Sequence, residues 1–166
     1  MTPNRALAIG LILILSAVAV GAAPLTPADA FEKLSSLVGD WEAKTEKGAT
    51  IRVNYRLVSA DSVLVQTYRT ASGRETLTVF HRDGKNLIAT HYCAQGNQPR
   101  LRLDGASGET SLVFLFMDAT NLPDVQASHL RRLQFDFVDS DHYVATEIYS
   151  AEGKDEPGVL KFARVH

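Results

Sequence analysis

Hydrophobic residues recur at two different spacings along this chain, and the change between them separates a helix from a series of strands. Phe31, Leu34 and Leu37 follow the spacing of one helical face. The preceding residues 26–29, Thr-Pro-Ala-Asp, supply an N-cap, a proline suited to the first turn and the acidic partner of a capping box. Gly39 suits a helix stop. We therefore predict one short helix between residues 26 and 39.

From Ile51 onward the spacing changes to two, with apolar Ile51, Val53 and Tyr55 alternating with polar residues. This alternation is typical of a half-buried strand. Further strands, each bounded by turn residues, are predicted at 62–69, 75–82, 85–94, 100–104, 111–117, 130–138, 142–149 and 158–165. Residues 118–128 lack the pattern and predict a longer loop with one helical turn. Eight to ten antiparallel strands after one helix indicate a mostly β protein, a barrel or a sandwich.

One hairpin can be placed in register from its turn. Asp83-Gly84 suits a two-residue type I′ turn, which would pair Phe80 with Leu87 and place His91 opposite residue 76. Both faces of this strand pair carry apolar residues. A pair of that kind is expected where one side lines a cavity instead of bulk water. The pattern leaves open which face is inward.

The N-terminus predicts export. Arg5 precedes an apolar run over residues 6–20, and small residues follow at 21–23. These are the three parts of a secretory signal peptide. The run is shorter than the ~20 apolar residues of a membrane span, although an uncleaved anchor is the alternative. We therefore expect a signal peptide at 1–23, one domain at 24–166, and a periplasmic or secreted protein.

Composition narrows the functional classes further. The formal net charge is −2 and the sequence has no basic run, so the electrostatic footprint of a nucleic-acid binder is absent. Cys93 is the single cysteine, and in an exported protein it is an inert buried thiol, an intermolecular bridge or a reactive group. No feature assigns an oligomeric state.

Two segments carry a resemblance to a known family. Residues 31–41, with a helix leading into Gly39-Asp40-Trp41, resemble the opening of calycin-like barrels. The string 91–100, His-Tyr-Cys-Ala-Gln-Gly-Asn-Gln-Pro-Arg, is more particular. With residues 118–121, His129 and 141–142, it resembles a family of small exported bacterial proteins that have a predicted calycin-like (lipocalin-like) fold and no established activity. The resemblance implies a calycin-like antiparallel barrel of eight to ten strands with a short N-terminal helix.

The same string supplies the candidate site. Polar groups at a barrel mouth orient ligands in such folds, and a guanidinium matches an anionic head group bidentately. The predicted ligand-binding residues are His91, Tyr92, Cys93, Asn97, Gln98, Arg100, Asn121 and His129. His129 shares strand parity with Leu133 and would face the same side. The alternative interpretation is that the string is a tight turn whose polar groups satisfy loop backbone.

Catalytic and cofactor sites are not predicted. Cys93 and His91 lie two residues apart on one face, about 7 Å by strand geometry, which is too far for a direct hydrogen bond. A metal site from His91, His129 and a carboxylate such as Asp118 or Glu147 lacks ligand spacing. Nitrobindin-type haem barrels, distantly similar in fold, place a haem-ligating histidine near the last strand, but residues 159–165 contain none. Haem is therefore disfavoured.

The function that we predict is non-enzymatic binding of a small, partly apolar molecule inside the barrel. A filled barrel would instead favour an envelope-associated interaction or structural protein that works through its outer surface. An enzyme using His91, Cys93 or His129 is the third hypothesis.

Overall fold

The computed structural model describes residues 25–166. The predicted signal peptide lies outside these residues. Among the described residues, no helix is both long and apolar enough to cross a membrane.

Across residues 25–166 the chain forms one helix and ten strands. They are α1 Pro27–Ser35, β1 Gly39–Lys44, β2 Thr50–Val58, β3 Val63–Arg69, β4 Glu75–Asp83, β5 Asn86–Tyr92, β6 Gln98–Leu103, β7 Ser111–Thr120, β8 His129–Phe137, β9 His142–Ala151 and β10 Lys154–Val165. Each strand pairs antiparallel with its neighbours in sequence, and β1 pairs with β10 to close the barrel. The predicted mostly β antiparallel barrel with a short N-terminal helix is confirmed.

The helix α1 begins at the predicted capping box. The Asp29 amide donates to Thr26 Oγ1 at 3.2 Å, and the Thr26 amide donates to the Asp29 carboxylate at 3.2 Å. Its apolar face buries Ala30, Phe31 and Leu34, and the helix contacts β4 and β5. The helix leads directly into the start of β1, and because the antiparallel strands alternate in direction, the β4–β5 turn lies at the same end of the barrel. The helix therefore covers that end. We call this the closed end.

Large apolar side chains fill the barrel near the closed end. Phe80, Phe114 and Phe135 are fully buried. The Phe80 ring lies 5.7 Å from the Phe114 ring and 5.9 Å from the Phe135 ring in edge-to-face geometry. These rings fill the interior of the barrel near the closed end.

The β4–β5 hairpin corrects the predicted register. Asp83 pairs with Asn86 and Phe80 with Ala89, so the turn residues are Gly84 and Lys85, and the predicted pairing of Phe80 with Leu87 is wrong. Gly84 has a φ of +56°, which suits the first central position of a type II′ turn. Each residue of β4 pairs with a residue two positions further along β5 than predicted. Because side chains alternate with a period of two, the residues keep their predicted faces. The inward face is the one that carries Phe80 and His91, because both are buried.

Other predicted boundaries shift at strand ends. Strand β5 ends at Tyr92, since the Cys93 amide donates to the Asn97 carbonyl and closes a turn. Strand β7 continues to Thr120, so part of the predicted 118–128 loop is strand, and the rest contains no helix. Strand β10 begins at Lys154, four residues before the prediction.

Candidate functional site

A cavity opens at the end of the barrel opposite α1, which we call the open end. Its volume is about 380 Å³. The β3–β4 and β5–β6 turns, the β7–β8 loop, β9 and β10 surround it, through Tyr68, Thr70, Arg74, Thr76, Cys93, Ala94, Gln95, Ser128, Glu147, Tyr149, Glu156, Pro157 and Gly158. A smaller pocket of about 120 Å³ shares Tyr68, Glu147 and Gly158 with it and extends toward the barrel interior. The open half of the barrel is therefore hollow.

Strand β9 places a carboxylate on the wall of this cavity. Its alternation sends Tyr143, Ala145, Glu147 and Tyr149 to the inner side. Opposite Glu147, β10 carries Gly158. A Cβ at Gly158 would meet only the Glu147 carbonyl oxygen, at 3.9 Å. The missing side chain therefore leaves space beside the carboxylate.

Within residues 25–166, the Glu147 carboxylate has no hydrogen bond or ion pair to another side chain. Burial raises its pKa from 4.5 to about 7, and no charged neighbour opposes this shift. The group is therefore divided between its neutral and anionic forms near neutral pH, and Glu147 lines the cavity.

A buried histidine lies close to the same wall. His91 is 3% exposed, with Nδ1 3.0 Å from Thr78 Oγ1 and Nε2 3.2 Å from the Tyr149 hydroxyl. Burial lowers the pKa of His91 to about 4. The ring is neutral at pH 7, so one nitrogen donates and the other accepts. His91 therefore fixes the Tyr149 hydroxyl without adding a charge.

Three further side chains form a polar network deeper in the barrel. Gln66 Nε2 donates to the Tyr55 hydroxyl at 2.8 Å, and the Tyr55 and Tyr143 hydroxyls lie 3.0 Å apart. Burial raises the pKa of both tyrosines above the ordinary value. It also raises the pKa of Tyr68, on the cavity wall, to about 12. All of these phenols are protonated at neutral pH.

The structure divides the predicted string 91–100 between the two sides of the barrel. Cys93 lines the cavity, and its Sγ accepts from the Gln95 amide at 3.5 Å. His91 reaches the cavity through Tyr149. Tyr92 is 48% exposed on the outer side.

Four other predicted site residues lie in turns or on the outer surface. Asn97 is buried, and its Nδ2 donates to the Ser128 carbonyl at 2.8 Å. Gln98 Oε1 accepts from Asn121 Nδ2 at 3.0 Å. Arg100 donates through Nε to the Asp118 carboxylate at 2.6 Å, in an exposed ion pair. These contacts join the strand ends at the rim, and none of these four residues lines the cavity.

The predicted inward position of His129 depends on strand parity, which a bulge interrupts. Pairing of β8 with β9 shifts between Leu130 and Arg132. His129 is buried beside Phe116, with ring centroids 4.6 Å apart, and its Nδ1 donates to the Ala127 carbonyl at 2.7 Å. It does not line the cavity. Among residues 25–166, no three His, Cys, Asp or Glu side chains cluster as metal ligands do.

The sequence-based site missed the carboxylate and the tyrosines that line the cavity. A usable signal was present, because Glu147 shares strand parity with apolar Tyr143 and Ala145 and with Tyr149. A charged residue on the apolar side of a strand indicates an inward polar site. The prediction concentrated on the string 91–100 and mentioned Glu147 only as a possible metal ligand.

Comparison with known proteins supports the architecture alone. No protein-family model matches the chain, and no curated protein matches it in sequence. Thirteen chains of solved structure match it. One of them, the crystal structure of Rv2717c from M. tuberculosis, matches with a TM-score of 0.54 and 16% sequence identity, over 82% of this chain and 98% of that chain. At this identity the likeness shows a shared fold.

Proposed function

We propose that this protein is a calycin-like barrel that binds a small, partly apolar molecule in its open half, and that it does so after export to the periplasm or the medium. One observation carries the proposal: the barrel is packed at the closed end but hollow at the open end. A volume of about 380 Å³ falls within the range of small-molecule sites. A barrel that functions only through its outer surface does not require an internal cavity.

The wall of the cavity suits a ligand with both apolar and polar parts. Tyr68 and Tyr149 offer ring faces and hydroxyls, and Glu147 offers an acceptor. We do not extend the proposal to haem, since the inward positions of β10 hold Glu156, Gly158, Leu160 and Phe162. None of these is a histidine, so they do not fit the arrangement of nitrobindin-type barrels.

The neutral dye N-phenyl-1-naphthylamine, which fluoresces in apolar surroundings, tests whether the cavity accepts ligands. We expect saturable binding by the wild-type protein and at least a tenfold loss of affinity in Gly158→Leu, because the new side chain would occupy the space beside Glu147. Val159→Leu, whose side chain is exposed on the neighbouring outer position, is the matched control. Equal dye affinity in Gly158→Leu and the wild type, with both folded by circular dichroism, would contradict the proposal.

A further inference from the structure

We infer that the molecule bound in the open half carries a protonated amine, which pairs with the Glu147 carboxylate while its apolar body lies against Tyr68 and Tyr149. This inference rests on the proposed binding function and names the chemical class of the ligand. It differs from the sequence-based expectation, in which Arg100 was a candidate partner for an anionic head group.

The first support is the isolation of the carboxylate. Within the described chain, Glu147 faces the cavity without a side-chain hydrogen bond or ion pair. Placing an anionic group in poorly hydrated surroundings costs free energy unless a partner compensates. A ligand ammonium would supply that partner, with up to three N–H donors.

The second support is the sign of the other charges. The titratable groups around Glu147 come from several elements: Tyr55 on β2, Tyr68 on β3, Arg74 in the β3–β4 turn, Cys93 after β5, Tyr143 and Tyr149 on β9 and Glu156 on β10. The tyrosines are neutral, and so is the nearby His91. Arg74 and Glu156, both exposed, leave no net charge at the mouth.

The third support is the lack of a suitable site for an anion. Arg100 lies on the outer side of the barrel, where it pairs with Asp118. Arg74 is the single cationic side chain that lines the cavity among residues 25–166, and it lies in the turn at the mouth. An anionic group placed beside Glu147 would meet a like charge. A cation there gains the carboxylate and the negative faces of the tyrosine rings.

Three probes that share a phenyl ring on a two-carbon linker separate the possibilities: phenethylamine, 2-phenylethanol and 3-phenylpropanoate. We would measure their affinities by isothermal titration calorimetry at about pH 8, where Glu147 is ionised. We expect the amine to bind at least tenfold more tightly than the alcohol, and the carboxylate to bind most weakly. At about pH 5.5, protonation of Glu147 should reduce the amine's advantage to less than threefold.

Glu147→Gln should remove the amine's advantage at both pH values while leaving the affinity for the alcohol within twofold. Glu32→Gln, which neutralises an exposed carboxylate on α1, is the control and should retain the advantage. Equal affinities for amine and alcohol in the wild type, tighter binding of the carboxylate probe, or no binding of any probe would overturn the inference. If the naphthylamine dye still bound and Gly158→Leu blocked it, the proposed function would stand and only the ligand class would fall.

Discussion

Glu147 lines the cavity and His91 holds the Tyr149 hydroxyl on its wall. Burial favours the neutral form of both side chains. The pKa of Glu147 rises to about 7 and that of His91 falls to about 4, because desolvation disfavours either charge. The two groups make the free energy of unfolding depend on pH in opposite directions. Ionisation of Glu147 costs stability as pH rises from about 4.5 to 7, whereas protonation of His91 costs stability as pH falls from about 6.5 to 4.

His91→Gln tests this assignment without changing the cavity charge at neutral pH. The folded-state pKa of His91 lies below its unfolded value, so the wild type should lose stability relative to the variant as pH falls through this window. The expected change in the difference between their free energies of unfolding is about 3 kcal/mol between pH 7 and pH 4. Contributions from Glu147 cancel in that difference.

Urea denaturation at several pH values would measure this difference. His81→Gln is the matched control, since His81 pairs with Ile88 on the outer side of the same hairpin. A difference between wild type and His91→Gln that stays constant with pH would show that His91 titrates normally.

For individual residues, strand parity alone could have predicted the inward position of Glu147. It could not predict that Arg100 forms an ion pair with Asp118. The same guanidinium suits a ligand or a neighbouring carboxylate, and only the β6–β7 pairing brings Asp118 beside it. Parity could not show that His129 packs beside Phe116 and not on the cavity wall, because the bulge in β8 has no signature in the alternation of residues 129–137.

Among the elements, the β5–β6 turn and the β7–β8 loop are joined at the mouth of the cavity. Asn97 Nδ2 donates to the Ser128 carbonyl at 2.8 Å, and Gln95 Nε2 donates to Ser128 Oγ at 3.1 Å. Asn97 is 4% exposed, whereas Gln95 is exposed. Losing the buried contact leaves a carbonyl without its partner, and that is the costlier loss.

We therefore expect Asn97→Ala to destabilise the protein by about 2 kcal/mol. It should also accelerate amide hydrogen exchange in residues 121–128, the loop that Asn97 holds. Gln95→Ala is the control, and its effect should stay within about 0.5 kcal/mol. Unchanged exchange in 121–128 after Asn97→Ala would show that the contact does not restrain the loop.

The elements themselves were largely predictable, because apolar and polar residues alternate in strands that have one buried and one solvent-exposed side. The hairpin register was not predictable from Asp83-Gly84 alone. Either pair, 83–84 or 84–85, forms a two-residue turn with glycine at a permitted position, and both turn types, I′ and II′, match the twist of the strands. The structure selects 84–85.

For the molecule as a whole, one arginine joins the last strand of the barrel to the loop that precedes the first strand, at the closed end. The Arg164 guanidinium donates to the carbonyls of Val38 and Ser36 at 2.8 and 2.9 Å, and to that of Ser140 at 3.2 Å. It also lies 4.2 Å from the centre of the Trp41 ring. Strand β10, the loop before β1 and the β8–β9 turn therefore meet on a single side chain.

Arg164→Lys should lower stability by about 2 kcal/mol, since an ammonium cannot donate to three separated carbonyls and stack on the indole at once. Denaturation in urea would measure the loss. Lys161→Ala, an exposed position on the same strand, is the control and should change stability by less than about 0.5 kcal/mol. A loss no larger than that of the control would contradict the closing role of Arg164.

A barrel with a covering helix was predictable from periodicity, but the division into a packed and a hollow half was not. That division depends on which inward positions carry large side chains at the same height in neighbouring strands. Phe80, Phe114 and Phe135 meet at one height, whereas Gly158 faces Glu147 at another. Only the register of all ten strands shows this arrangement.

Trp41, the single tryptophan of the sequence, lies at the closed end. It is 1% exposed, with Nε1 donating to the Leu37 carbonyl at 2.7 Å. Tyr68 and Tyr149 lie at the opposite end, on the cavity wall. Indole emission therefore reports unfolding of the barrel from the closed end, whereas the binding that we propose would change the surroundings of Tyr68 and Tyr149, two of the five tyrosines. Folding and the proposed ligand binding would thus change the signals of different chromophores in one unlabelled sample.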